Sequence, residues 1–196
     1  MARIKYLIGV DEVGRGPLAG PLAVGAFAAP ATFDLRIFKK VRDCKKMSPE
    51  NREKCFRHIR KELKNGVLNY KVAFVSAPRI DSLGLSRCIA LAIKSSLRRL
   101  ELNPDECLVL LDGALRAPSG FPHQKTIIGG DDKEKIISLA SIVAKVTRDR
   151  KLVRLAKIYP AYGFEIHKGY GTKLHREQIK ALGFSPIHRR SFCKNI

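Results

Sequence analysis

Tyr6-Leu7-Ile8-Gly9-Val10-Asp11-Glu12 opens the chain with a short apolar run that stops at two acids. Its length and composition read as a buried strand with Asp11 and Glu12 at its end. A loop follows, punctuated by Gly14, Gly16, Pro17, Gly20 and Pro21, and then Ala23 to Ala29 reads as a second strand. Further out, Ser48-Pro49-Glu50 carries the N-cap, proline and early acid of a helix start, and that helix runs to about Lys64. Val67 to Val75 alternates as a strand. Ser82 to about Leu102 has apolar residues at helical spacing, Leu85, Ile89, Ala92 and Ile93. Cys107 to Leu111 is a continuous apolar run ending at Asp112-Gly113, and Lys125 to Ile128 is a strand ending at Gly129-Gly130-Asp131. A long helix is predicted from about Lys133 to Ile158, stopped by Pro160. Its first half carries the small residues Ala140, Ser141 and Ala144, which permit close packing on a sheet. A last helix lies near Lys173 to Leu182, closed by Gly183. Strands and helices interleave without repeats or low-complexity linkers, which makes the chain α/β.

Length and composition fit one globular domain. The chain has 196 residues, 45% of them hydrophobic, enough for a proper core. No apolar run is long enough for a membrane span. Polar-apolar alternation from Ala2 onward leaves no room for a signal peptide. The five cysteines are widely spaced and contain no C-x-x-C pair, which excludes a zinc ribbon and suits a reducing cytoplasm. Charge is the dominant global feature: 38 Lys+Arg against 18 Asp+Glu give a formal net charge of +20. Thirteen basic and three acidic residues lie between Ser141 and Ile196 alone. A polyanion is the natural partner of such a surface, because each neutralised phosphate releases condensed counterions.

Charge does not distinguish binding from cutting; the acids do. Asp11-Glu12, Asp112 and Asp131 each follow an apolar strand, and the carboxyl ends of strands are where α/β sheets build their sites. Gathered carboxylates repel one another, and a divalent cation relieves that repulsion. Oxygen-only ligands select magnesium or manganese. Two such ions stabilise the attacking and leaving oxygens of a phosphodiester, so no nucleophilic side chain is required. Beside the first acids, Gly14-Arg15-Gly16 offers backbone amides that approach an anion closely. A 2′-hydroxyl both donates and accepts, so such a loop can tell RNA from DNA.

These residues resemble the type 2 ribonucleases H, specifically the ribonuclease HII family. Asp11 to Pro21 looks like the family's opening motif. The resemblance continues through Asp43-Cys44-Lys45-Lys46-Met47, Leu111-Asp112-Gly113, Gly130-Asp131, Ala140 to Asp149, His167-Lys168-Gly169-Tyr170-Gly171-Thr172 and His188-Arg189-Arg190-Ser191-Phe192. It implies a ribonuclease H-like fold: a mixed five-stranded sheet flanked by helices, one catalytic domain over residues 1–196, and a small helical, substrate-binding part at about 165–196. It implies cleavage of RNA in RNA/DNA hybrids and 5′ of single ribonucleotides in duplex DNA. Carried over by position, Asp11, Glu12, Asp112 and Asp131 are the catalytic carboxylates holding two Mg2+ or Mn2+ ions. Gly14, Arg15 and Gly16 hold the 2′-hydroxyl and its phosphate, Lys45 and Lys46 contact phosphate, and Tyr170 stacks on the next sugar.

Cys44 and Leu139 depart from the family pattern at positions away from the carboxylates. Asp149 lies about five helical turns past Asp131 and reads as an ion-pairing residue rather than a fourth ligand. The basic second half of the long helix, with Lys168, Lys173, Arg176, Arg189 and Arg190, is expected to grip duplex backbone. His167, His175 and His188 read as structural or phosphate partners. The first motif begins at residue 11, so a preceding substrate-binding domain, as in the related ribonuclease HIII, is not expected. One chain supplies a full set of carboxylates, which favours a monomer. A non-catalytic nucleic-acid binder would explain the charge but not the acids.

Overall fold

The computed structural model describes residues 3–38, 47–194 and 196; Cys44, Lys45 and Lys46 lie outside the described residues. Five strands form one sheet: β1 (Tyr6–Val13), β2 (Leu22–Pro30), β3 (Asn69–Val75), β4 (Cys107–Asp112) and β5 (Gln124–Ile127), in the order β3-β2-β1-β4-β5. β1, β2 and β3 are successive antiparallel neighbours, whereas β4 runs parallel to β1 and β5 parallel to β4. The sheet is therefore mixed, as the resemblance implies.

Side chains alternate across each strand, and both faces are covered. Ile8, Val10, Val24, Ala26, Val109 and Leu111 face a core completed by Ile89, Ala92, Ile93 and Leu97 of one helix. On the other face Phe27, Ala29 and Leu110 meet Ile136, Leu139, Ala140 and Val143 of the long helix and Phe56 and Ile59 of the first. That first helix, α1 (Pro49–Leu63), starts as read: the Ser48 side chain accepts from the Asn51 amide.

The long helix sits unusually close to the sheet. A Cβ on Gly9 would lie 2.2 Å from the Ile136 carbonyl oxygen, and one on Gly25 would lie 2.5 Å from that of Ala140. Glycines in β1 and β2 are thus the sheet's half of the close packing that Ala140 and Ala144 supply from the helix. Leu139, one of the two departures from the family pattern, is fully buried in the same core.

Several boundaries differ from the sequence reading. β1 continues through Asp11 and Glu12 to Val13, because β2 goes on pairing with it there. β2 begins one residue early at Leu22, and β3 begins at Asn69, since Val67 has no strand partner. The helix expected from Ser82 is two helices, α2 (Ala77–Leu83) and α3 (Leu85–Arg98), separated by Gly84 at φ 77°. The helix expected from Lys133 is likewise a single turn, α4 (Gly130–Lys133), followed by α5 (Lys135–Ile158), with Glu134 in an extended conformation between them. α6 (Phe164–His167) and α7 (Lys173–Leu182) build the C-terminal helical part. Among the described residues no helix is long and apolar enough to cross a membrane.

Gly9→Ala forces a methyl group into a backbone carbonyl that cannot rotate away. We expect a loss of about 1–3 kcal/mol, the usual range for overpacking. It would be read as a lower urea midpoint at unchanged slope; an unaltered midpoint would show that α5 can lift from the sheet at no cost.

Candidate active site

The parallel register of β1 and β4 ends at the pair Val10 and Leu111. One residue further, Asp11 and Asp112 emerge side by side. Strand alternation sends both toward the α5 face, since Gly9 and Leu110 point there. Asp131 joins them from α4, and ligand oxygens of Asp11, Asp112 and Asp131 all lie within 4.8 Å of one another. Asp131 therefore comes from a helical turn, not from a strand end as read. That turn is held by Asp112, whose Oδ1 accepts from the amides of Gly130 (2.7 Å) and Asp131 (3.4 Å). The Ser138 hydroxyl donates to the Asp131 carbonyl at 2.6 Å and ties α4 to α5.

Glu12 belongs to the same pocket but not to the triad. As the next residue of β1 it points the other way, and its Oε1 accepts from Arg15 Nη1 at 3.0 Å. Burial raises its pKa, and Arg15 opposes that rise. Asp11 is 3% exposed. Burial, together with the charges of Glu12 and Asp112, pushes its carboxyl up to about 7, against a hydrogen bond from Ser141. Three carboxylates, one of them half-protonated near neutrality for want of a counter-charge, fit a hard divalent cation.

Gly14, Arg15, Gly16, Ser141, Lys145 and Tyr170 line the same cavity of about 250 Å3 with Asp11, Glu12 and Asp112. The sequence-derived acids, the Gly14-Arg15-Gly16 loop and Tyr170 are thus brought together from β1, β4, α4 and the segment before α7. Tyr170 is 42% exposed. Lys145 Nζ lies 5.8 Å and Arg148 Cζ 5.9 Å from its ring centre. Lys145 also pairs with Asp149 at 3.0 Å, the ion-pairing role read for that acid.

The loop is shaped by two arginines that the sequence reading missed as structural. Arg148 and Arg189 are both fully buried, so neither grips duplex backbone as expected. Arg148 donates to the carbonyls of Pro21 (2.9 Å), Lys168 (3.1 Å) and Ala19 (3.4 Å). Arg189 donates to those of Gly14 (2.7 Å), Arg15 (2.9 Å) and Gly20 (3.0 Å). Gly14 adopts φ 92°, and a Cβ there would meet Arg148 Nε at 2.3 Å. Gly16 has open space at the corresponding point, so nothing within the chain demands a glycine there. A larger cavity of about 540 Å3 lies between α1 and α5, with Arg52, Arg150, Arg154 and Lys168 on its walls. Its acids Glu53 and Asp149 are already paired, with Arg150 and Lys145, so it suits phosphate better than a cation.

Comparison with known proteins agrees with this geometry. The family model described as Ribonuclease HII matches residues 8–195. The chain is 46% identical over 193 residues to the ribonuclease HII of Caldicellulosiruptor bescii, covering 98% of this chain and 88% of that one. The crystal structure of the ribonuclease H2 from Pyrococcus horikoshii OT3 superposes with a TM-score of 0.70 at 28% identity, over 97% of this chain and all of that one. The ribonuclease HII of Archaeoglobus fulgidus, solved in complex with PCNA, gives 0.72 at 25% identity, over 94% and 93%.

Two outcomes follow from the geometry. Without divalent ions, Asp11 keeps its proton in the folded state up to about pH 7, whereas the unfolded chain releases it near pH 4. Folding stability should therefore fall as pH rises between those values. Asp11→Asn should melt above the parent at pH 8 in chelator, with the difference closing toward pH 4; a lower melting temperature at pH 8 would refute the burial argument. The two loop glycines should also separate. Gly14→Ala should lower the melting temperature because it collides with a buried guanidinium, whereas Gly16→Ala should leave it within about 1 °C, as for a substitution that touches nothing in the fold. Equal destabilisation of both would contradict the open space at Gly16.

Proposed function

This chain belongs to the ribonuclease HII family, endoribonucleases that hydrolyse the RNA strand of RNA/DNA hybrids, and we propose that it also nicks duplex DNA 5′ of single embedded ribonucleotides. The observation that carries this reading is the shared pocket: Asp11 and Asp112 of the carboxylate triad line one cavity with a backbone loop able to read a 2′-hydroxyl, and Asp131 stands against those two acids.

Asp11, Asp112 and Asp131 would hold the divalent ions, Mg2+ or Mn2+, with Glu12 completing the set. When bound, a pair of such ions supplies positive charge to the attacking and leaving oxygens of the phosphodiester, and the products carry 3′-hydroxyl and 5′-phosphate ends. The chain's own residues do the rest. Amides of Gly14, Arg15 and Gly16 meet the 2′-hydroxyl and the neighbouring phosphate, a contact that a deoxyribose cannot reproduce. Arg15 is shared: a substrate phosphate competes with Glu12 for its guanidinium, and the released Glu12 carboxylate would then be open to a cation. The Tyr170 ring packs against the following sugar and disfavours a second ribose, which selects the RNA-to-DNA junction. Lys145, beside both the triad and the ring, adds a positive charge near the scissile phosphate. Exposed cations on α5 and the C-terminal helices, together with Lys45 and Lys46, bind duplex phosphates without reading sequence. The protein acts as a monomer, with one chain supplying every ligand, and its role is removal of ribonucleotides from DNA.

A nicking assay on matched duplexes, all-DNA, hybrid and single-ribonucleotide, tests this reading. Magnesium-dependent cutting is expected on the last two only, and Asp112→Asn should lower it by about a hundredfold to a thousandfold, the range lost when a catalytic electrostatic group is removed. Binding should persist in that variant, because the basic surface is intact. Binding without cutting by the parent protein would sink the proposal.

A further inference from the structure

Three histidines that the chemistry above does not use lie directly behind Tyr170. His167, His175 and His188 are all buried. The rings of His167 and His175 stack with centroids 4.1 Å apart, and Phe164 packs edge-on against both. Burial lowers all three pKa values, that of His175 to about 4, so the rings are neutral at physiological pH.

In a neutral imidazole one nitrogen donates and the other accepts, so neighbours with fixed roles define every proton. The Ser185 amide donates to His188 Nδ1 at 2.9 Å, which puts the His188 proton on Nε2. His188 Nε2 faces His175 Nε2 at 3.1 Å, so His188 donates and His175 accepts. The His175 proton must then be on Nδ1, which donates to the Tyr170 carbonyl at 2.9 Å. Independently, the Gly169 amide donates to His167 Nδ1 at 3.1 Å, and His167 Nε2 donates to the Tyr162 carbonyl at 2.7 Å. The Tyr170 amide donates to the His167 carbonyl at 2.9 Å. The Tyr170 amide is therefore held by the His167 main chain and its carbonyl by the His175 ring together with the Thr172 amide, while its side chain stands half-exposed in the substrate cavity.

We propose that a hydrogen-bonded relay from His188 through His175, with the His167 ring stacked on His175, positions Tyr170, and that this relay sets the preference for an RNA-to-DNA junction over a continuous ribose strand. The proposal rests on the sugar-packing role given above to Tyr170. The histidines touch no substrate atom; they are positioning residues acting through the Tyr170 backbone. A ring on a loop can select a sugar only if the loop does not yield, and the one-way chain from the Ser185 amide to the Tyr170 carbonyl removes that freedom. The Tyr170 carbonyl also accepts from the Thr172 amide at 2.9 Å, so without the His175 donor it keeps that local turn bond alone, loses its tie to the histidine cluster behind it, and lets the loop and ring shift together.

The test uses the ratio of kcat/KM on a single-ribonucleotide duplex to that on a uniform hybrid. His175→Phe keeps the ring packing but removes the donor, and should lower the ratio about fivefold, the worth of one neutral hydrogen bond. His175→Asn returns an N–H near the Nδ1 position and should recover most of that loss. In a Tyr170→Ala background His175→Phe should change the ratio by less than about twofold, since coupled residues are not additive. An unchanged ratio in His175→Phe, or an equal fall with and without Tyr170, overturns the relay. If Tyr170→Ala alone leaves the ratio unmoved, the sugar role fails, and 15N shifts of the histidine rings then judge the relay on its own. A proton on His175 Nδ1 and on Nε2 of both His167 and His188 supports it; one on His175 Nε2 overturns it, also where His175→Phe does not fold.

Discussion

The active-site loop depends on two positive charges buried with no acid in salt-bridge contact among the described residues. Arg148 and Arg189 form no salt bridge among the described residues, yet both are fully buried. An isolated interior charge is costly unless dipoles replace its water. Here the carbonyls of Gly14, Arg15, Ala19, Gly20, Pro21 and Lys168 do so. Burial lowers the pKa of Arg189 to about 10, which still leaves it charged at neutral pH. The need is mutual. A loop rich in glycine and proline has few partners for its own carbonyls, and buried carbonyls must be satisfied. Each guanidinium offers five donors in a fixed fork, so two side chains can set the path of eight residues.

α5 links that loop to the carboxylates. Ser141, Lys145, Arg148 and Leu152 recur at helical spacing, which puts them on one stripe. Ser141 bonds Asp11, Lys145 lines the cavity, Arg148 holds the loop, and Leu152 packs under Gly20. A neighbouring face of the same helix rests on Gly9 and Gly25 of the sheet. The close seat of α5 thus serves the site as well as the core: each ångström between helix and sheet would separate Ser141 from Asp11 and Arg148 from the loop. The tail closes the arrangement, because the Arg189 amide donates to the Leu18 carbonyl and the Gly169 carbonyl accepts from the Leu18 amide.

Strands, helices, the acids and the glycine loop were legible from apolar periodicity and from residues at strand ends, because both follow local rules; Tyr170 was marked by the family resemblance alone, and Ser141 and Lys145 were not read as lining the cavity. Burial of charge was not. Arg189 lies in a basic run and looks like its exposed neighbour Arg190; only the count of loop carbonyls lacking donors distinguishes them. The break at Glu134 was hidden for a similar reason. Residues 133–158 have continuous helical composition, but Asp131 reaches Asp112 only if the chain turns between α4 and α5, a tertiary demand with no local signature. The departure of Glu12 from the triad could have been foreseen, since successive residues of a strand face opposite ways.

The electrostatics of the pocket and of the surface oppose each other, and that opposition has a consequence for selectivity of action. The protein carries +20 overall, so a duplex is attracted to its surface whatever the state of the triad. The triad itself repels a phosphate as long as its acids lack a counter-charge. The raised Asp11 pKa shows the protein meeting part of that cost with a proton. A divalent cation held by these acids would take the place of that proton and supply the counter-charge that a phosphate needs in the cavity. Attachment to nucleic acid and commitment to cutting are consequently separate equilibria. Under the proposed function, the loop amides, fixed by two buried arginines, decide at which sugar the two equilibria meet.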